Sequence, residues 1–191
     1  MLKVGIIGYG ARVSGMARRL GAYGIPYKVT AVCDPRREEI LSKDDGFLSG
    51  ARFHDTADRL LEQEDLDGVM VGTRCNLHTP MADKVAKRGL PLFLEKPVAI
   101  SFEQVRELEQ AFRDYAAPVV VSFPLRVSPV AQRVKEILDS GEIGSVEHVV
   151  AFNDVPYGWV YYRNWYRNWD EVQGLFLQKA THDLDYIHYM L

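Results

Sequence analysis

The sequence predicts an α/β fold: a doubly wound parallel sheet followed by the start of an incomplete α+β domain. Three observations carry this expectation. Short, continuous apolar runs recur along the first two thirds of the chain, amphipathic stretches with helical spacing lie between them, and the pattern changes after Ser122. Strands that are apolar throughout, rather than alternating, are buried on both faces, and intervening helices are what cover them.

The strands read as Lys3 to Gly8, Lys28 to Cys33, Gly68 to Gly72, Pro91 to Glu95 and Pro118 to Ser122, with a weaker one at Ala51 to Phe53. Met81, Val85 and Ala86 share a helix face after His78. Val105, Leu108 and Phe112 share another behind Ser101 and Gln104, which have the spacing of a capping box. Residues 1–121 therefore form one domain and residues 122–191 begin a second. In the second, Arg126-Val127-Ser128-Pro129 introduces a helix through Leu138, closed at Ser140-Gly141, and Ser145 to Phe152 reads as a strand. Tyr157 to Trp169 gathers all three tryptophans with Arg163 and Arg167, and Glu171 to Leu191 reads as a final helix.

Composition narrows the function. The net charge of −3 comes from interspersed acids and bases, with no basic block to track a phosphate backbone, so nucleic acid is not an expected partner. Two cysteines, Cys33 and Cys75, lack the spacing of a disulfide framework or a zinc or redox site; a reducing, cytoplasmic setting fits. No apolar run reaches membrane-spanning length, and Val4 to Ile7 is too short for a signal-peptide core.

Gly8-Tyr9-Gly10 follows a strand and precedes a helix, the setting of a dinucleotide-binding, Rossmann-type turn. Gly8 permits the tight turn, and Gly10, with Ala11 and Arg12 behind it, lets a pyrophosphate approach the helix N-terminus. Val13 stands where the third glycine of the fingerprint belongs. Asp34 ends the second strand, where an acid meets the adenosine ribose hydroxyls, and this favours NAD; Arg36 and Arg37 follow, and a guanidinium there holds a 2′-phosphate, which leaves NADP open.

Gly72-Thr73-Arg74-Cys75-Asn76-Leu77-His78 and Leu94-Glu95-Lys96-Pro97 both lie just past strands on the ligand side of such a sheet. With Thr181-His182-Asp183-Leu184-Asp185 near the end, they resemble, in order and spacing, the Gfo/Idh/MocA family of glucose-fructose oxidoreductase and inositol 2-dehydrogenase. The resemblance covers essentially the whole chain, and Glu95-Lys96-Pro97 is its most specific mark.

The resemblance implies an NAD(P)-dependent oxidoreductase moving a hydride between a sugar, polyol or related secondary alcohol and the nicotinamide. Thr73, His78, Glu95 and Lys96 then border the cofactor. Lys96 and His182 are the implied catalytic pair, since loss of hydride from an alcohol requires a group to take the hydroxyl proton. Lys96, Arg126, Gln178 and His182 are the implied substrate contacts. Many family dehydrogenases carry aspartate four residues before the histidine; here Gln178 stands there, and an amide cannot act as a base. Lys179 is the candidate acid/base partner in its place. The family typically needs no metal, although His182, Asp183, Asp185 and His188 invite that reading. Family members continue into an open-faced sheet that completes the substrate site, so homo-oligomer formation is expected of the full-length protein. Two other functions stay open: nicotinamide-dependent glycosidic cleavage, and cofactor binding without catalysis. The tryptophans suit a sugar face or a buried interface equally.

Overall fold

The computed structural model describes residues 1–154, 156 and 158–191. They fall into two compact units, Met1–Val121 and Ser122–Leu191. In the first, β1 (Leu2–Ile7), β2 (Tyr27–Cys33), β3 (Arg52–Phe53), β4 (Gly68–Val71), β5 (Leu92–Leu94) and β6 (Val119–Val121) form one sheet in the order β3-β2-β1-β4-β5-β6. Every pairing is parallel. The connections carry α1 (Ala11–Ala22), α2 (Arg37–Lys43), α3 (Ala57–Gln63), α4 (His78–Ala86) and α5 (Phe102–Asp114). The order reverses at β1, so the loops after β1 and β4 flank a crevice at the carboxyl end of the sheet.

Both faces of the sheet are buried at its central strands, which is why these read as continuous apolar runs; at the edge, Val119 and Val120 of β6 are exposed. Ile6, Val29, Val32 and Met70 pack with Val13 and Ala17 of α1 on one side. Ile7, Ala31, Val71 and Leu94 pack with Leu60, Ala82 and Val85 on the other. Val29 and Val32 share a face although three residues apart, because the β1–β2 register passes from Val4 opposite Val29 to Gly5 opposite Ala31. Thr30 is the extra residue of that β-bulge.

Ser101 caps α5 by accepting from the Gln104 N–H at 3.2 Å. The box is not reciprocal: Gln104 Oε1 instead accepts from the Ile100 N–H at 2.9 Å, and its amide donates to the Asn76 carbonyl at 2.8 Å.

The second unit holds α6 (Pro129–Asp139), capped by Ser128 and followed by Gly141 at φ 72°. Three short helices follow: α7 (Val160–Arg163), a 3₁₀ turn at Trp165–Arg167, and α8 (Trp169–Val172). Tyr157, the first residue of the expected aromatic loop, lies outside the described residues. Two expectations are corrected. Residues 145–152 pair with no strand among the described residues; their sequence suits a strand, but a strand needs a neighbour to satisfy its backbone. The final segment is not one helix, because Gln173 at φ 53° and Gly174 at φ 94° end α8. The chain resumes as a π-helical turn, Phe176–Ala180, that runs into α9 (Thr181–Met190).

Candidate functional site

The turn after β1 is built around Gly8, at φ +85°. A Cβ there would stand 2.6 Å from the Thr73 nitrogen and 2.7 Å from the Gly72 carbonyl carbon, so conformation and space both demand glycine. Gly10 is different. It is the N-cap of α1 in an ordinary extended conformation, φ −76° and ψ 168°, and a Cβ there would meet only the Gly72 oxygen, at 3.7 Å. Among the described residues nothing crowds a Cβ at this position, and with glycine there the backbone of the α1 N-terminus is open to approach. Behind it, α1 begins at Ala11 and Arg12 with no side-chain cap and no acid in its first turn, leaving the positive end of the helix dipole uncompensated.

Val13 does not displace the helix from the sheet. It is 0% exposed and packs onto Gly72, where a Cβ would lie only 2.1 Å from Val13 Cγ2. The close helix–sheet approach that the fingerprint obtains from a helical glycine is obtained here from a glycine just past the neighbouring strand β4.

Asp34, just past β2, is buried, and its carboxylate accepts four hydrogen bonds. Oδ1 accepts from the Arg36 backbone N–H at 2.9 Å and from Arg36 Nε at 3.1 Å; Oδ2 accepts from the Tyr9 N–H and from Arg36 Nη2, each at 2.9 Å. Burial alone would raise the carboxyl, but the Arg36 fork, its backbone N–H and that of Tyr9 outweigh it and hold Asp34 below the usual carboxylate range. Asp34 thus ties the β2 end to the Gly8-Tyr9-Gly10 loop. The Arg37 guanidinium lies over the Phe53 ring, 5.5 Å from its centroid.

The loops after β4 and β5 are stapled together. His78 is buried, with Nδ1 2.7 Å from the Pro97 carbonyl oxygen and Nε2 3.3 Å from that of Thr73. Burial, opposed by those two carbonyls, lowers its pKa and keeps the ring neutral, so Nδ1–H donates the shorter bond. Both ring nitrogens face main-chain carbonyls, so His78 positions the Lys96-Pro97 segment from within the fold. Thr79 Oγ1 donates to the Val98 carbonyl at 2.8 Å. Thr79 and Gln104 were not anticipated from sequence, although a buried threonine beside His78 on an apolar helix face was a signal.

Glu95 is buried at the end of β5, with Oε1 3.4 Å from Arg12 Nε across the phosphate loop. Lys96 follows, partly exposed, and precedes a cis peptide bond to Pro97. Thr73 is partly buried and donates from Oγ1 to the Arg74 carbonyl at 3.2 Å. Gly8, Gly10, Ala11, Arg12, Asp34, Arg36, Thr73, Glu95 and Lys96 thus lie on the loops and the first helical turn that follow β1, β2, β4 and β5, the ligand side of the sheet.

In the second unit, Gln178 is buried within the π-helical turn and His182 lies in the first turn of α9, edge-on to Phe123 with centroids 5.9 Å apart. The widened turn shifts Gln178 and Lys179 off simple α-helical spacing from His182. The Lys179 ammonium sits 4.5 Å from the centre of the Tyr161 ring. Arg126, expected at the substrate, is spent on Asp185: its Nε donates to both carboxylate oxygens, at 2.8 and 3.1 Å, and Nη2 donates as well. Among the described residues no cluster of three or more histidine, cysteine or carboxylate side chains could hold a metal ion, and no helix is long and apolar enough to cross a membrane.

A family model described as the oxidoreductase family with an NAD-binding Rossmann fold matches residues 2–123, and the GFO/IDH/MocA C-terminal domain matches residues 131–191. The rhizopine catabolism protein MocA of Rhizobium meliloti is 23% identical over 198 residues, which cover 98% of this chain and 56% of that protein. The inositol 2-dehydrogenase of Rhizobium meliloti strain 1021 is 28% identical over 139 residues, 71% of this chain and 40% of that one. The chain spans about half the length of the curated relatives it matches. Two solved structures share the fold. The myo-inositol 2-dehydrogenase of Lactobacillus plantarum superposes with a TM-score of 0.86 at 21% identity, over 99% of this chain and 56% of that one. The myo-inositol dehydrogenase of Lactobacillus casei, solved with NAD(H) and myo-inositol, superposes with a TM-score of 0.78 at 24% identity, over 100% and 54%. A Rossmann sheet, a glycine loop at its first turn and family matches along both units place this chain in the Gfo/Idh/MocA oxidoreductase family.

Proposed function

We propose that the chain carries the NAD(P)-binding domain and the beginning of the substrate domain of a dehydrogenase acting on the CH–OH group of a sugar, polyol or related secondary alcohol. The observation that carries this reading is Gly10: the fold has room for a Cβ there, and its absence leaves the uncapped α1 N-terminus open to a pyrophosphate. The surrounding residues suit a dinucleotide. Ala11 and Arg12 bring backbone N–H groups to a pyrophosphate, and Asp34 and Arg36 stand where the adenosine ribose would lie. The nicotinamide supplies a hydride acceptor for the carbinol carbon.

The chain's own residues manage the proton. Lys96 takes it from the substrate hydroxyl, as a lysine whose amine is neutral for part of the cycle. His182 is the second proton-handling group, and Gln178 a hydroxyl ligand. Lys179, held over Tyr161, is kept as an auxiliary amine. A homo-oligomeric, cytoplasmic full-length protein belongs to the same proposal.

Calorimetric titration of the protein with NAD and NADP tests the first half. Micromolar binding to at least one is expected, and Gly10→Ala, whose added Cβ meets only the Gly72 oxygen at 3.7 Å, weakens it in a protein that stays folded by its far-UV spectrum. Nicotinamide reduction by the full-length protein, followed against a panel of inositols and sugars, tests the second; Lys96→Ala lowers turnover by about 10²-fold or more. Absence of binding to either dinucleotide by the folded protein sinks the proposal.

A further inference from the structure

Between the end of β5 at Leu94 and the start of α5 at Phe102 the chain has no helix or strand to satisfy its main chain, although Glu95, Pro97 and Ala99 are buried there. Buried main-chain groups need partners all the same. Side chains from two helices supply them. His78 meets the Pro97 carbonyl at 2.7 Å, Thr79 donates to that of Val98 at 2.8 Å, and Gln104 accepts from the Ile100 N–H at 2.9 Å. On the strand side, the Glu95 N–H donates to the Val71 carbonyl of β4 at 3.0 Å. Lys96 is carried between that strand pairing and the three side-chain anchors.

Gln104 is the anchor whose residue type is most informative. Ser101 and Gln104 have the spacing of a capping box, in which the glutamine would return to the Ser101 N–H. It bonds the Ile100 N–H instead, and its amide donates to the Asn76 carbonyl, at 2.8 Å, in the loop after β4. One side chain on α5 therefore joins both loops. The bridge needs an acceptor and a donor at once. A glutamate, equally suited to a capping box, would set a carboxylate against the Asn76 carbonyl and lose the second bond. Capping alone does not distinguish the amide from the acid; the bridge does.

We propose that Gln104 is a positioning residue for Lys96: with Thr79 as a second point of attachment, it holds the segment that carries the lysine against the loop after β4, so that the amine is presented at one place. This rests on the dehydrogenase reading above, in which Lys96 takes the hydroxyl proton. The bonds of Gln104 are to main-chain groups, so it acts through the lysine. A displacement of about 1 Å in a reacting group costs about a hundredfold in rate, which makes turnover the property most sensitive to release of this segment.

The test compares full-length wild type with Gln104→Leu, Gln104→Glu, Thr79→Val and Thr79→Ser. Turnover is measured with whichever of NAD and NADP binds more tightly and with the member of an inositol and sugar panel that wild type oxidises fastest. Gln104→Leu removes both bonds; it lowers kcat about tenfold to a hundredfold, changes KM less, and leaves the dinucleotide Kd within about threefold. Gln104→Glu is slow at about pH 8, and its deficit relative to wild type narrows as pH falls toward the carboxyl range, about 4–5, where the acid regains a proton to donate. Thr79→Val is slow, and Thr79→Ser recovers most of what it loses. Hydrogen–deuterium exchange of peptides spanning residues 95–101 gives a readout independent of turnover, and it rises in Gln104→Leu and Thr79→Val. Faster exchange with unchanged kcat, or lower kcat with unchanged exchange, overturns the proposal and leaves the dehydrogenase reading in place. Should Gln104→Leu fail to fold, the near-isosteric Gln104→Glu decides: full activity at about pH 8, or a deficit that does not narrow in acid, overturns the proposal. Wild type that turns over no member of the panel removes both.

Discussion

Replacing Gly72 by alanine probes the contact that brings α1 down onto the sheet. The added methyl would stand 2.1 Å from Val13 Cγ2 and 3.1 Å from Val13 Cβ. Val13 is 0% exposed and packed among Ile6, Val32 and Met70, so it cannot swing into solvent, and relief requires α1 to lift. Overpacking a filled core costs about 1–3 kcal/mol. For a chain of this size each kcal/mol is worth about 2–4 °C, so Gly72→Ala lowers the melting temperature by about 2–12 °C. Val13→Gly alone removes three carbons, about 2.4 kcal/mol at 0.8 per buried methylene, and adds about 1 kcal/mol for glycine within a helix. Combined, the two substitutions move the glycine to the fingerprint position. The new methyl then faces the Gly8 oxygen at an ordinary 3.4 Å. The double variant should be less destabilised than the sum of the singles by at least about 1 kcal/mol. Urea denaturation of the four proteins, followed by far-UV circular dichroism, measures this. Additivity within about 0.5 kcal/mol would refute the compensation argument.

Three further outcomes follow from the loops. Thr79→Val leaves the Val98 carbonyl without its side-chain donor and costs about 1–3 kcal/mol, read as a shift in the urea midpoint; an unchanged midpoint refutes the staple. Because the folded-state pKa of Asp34 lies below its ordinary value, its contribution to stability is complete above that value and is lost as pH falls through the lower one. The melting temperature of wild type should therefore drop more steeply below about pH 4 than that of Asp34→Asn, and parallel acid limbs would contradict this. Arg126→Ala, which unpairs Asp185 from a guanidinium 45% exposed, should cost about 1 kcal/mol, and a double variant with Asp185→Asn should be less destabilised than the sum of the singles; full additivity would show that the ion pair contributes nothing.

The sheet was legible in the sequence because strands buried on both faces leave an unbroken apolar record, as Val4 to Ile7 and Gly68 to Val71 do. What escaped detection depends on partners distant in the chain. Val13 looked like a defect in the glycine fingerprint, and only the fold shows Gly72 across from it. His78 lies past a strand end, where ligands bind, yet its ring turns inward to the Pro97 carbonyl; position along the chain does not give direction. Residues 145–152 have a strand's composition, and composition cannot supply a neighbour. The break at Gln173-Gly174 did leave a signal, the glycine, which the helical spacing around it outweighed.

One physical pattern connects these corrections. The residue types that mark a dinucleotide site, acid, arginine, histidine and threonine, are largely bonded to one another here. Asp34 holds Tyr9 and Arg36, Arg12 reaches Glu95, and His78 and Thr79 hold the segment after Lys96. Such bonds fix the four loops before any ligand arrives, which lowers the ordering cost of binding. They also impose a competition, since a ligand group that needs one of these partners must displace the other. Gly10 and the α1 N-terminus carry no such prior claim from a capping side chain, so a phosphate placed there would bind without exchange, whereas a hydroxyl placed at Asp34 would have to displace the Arg36 fork.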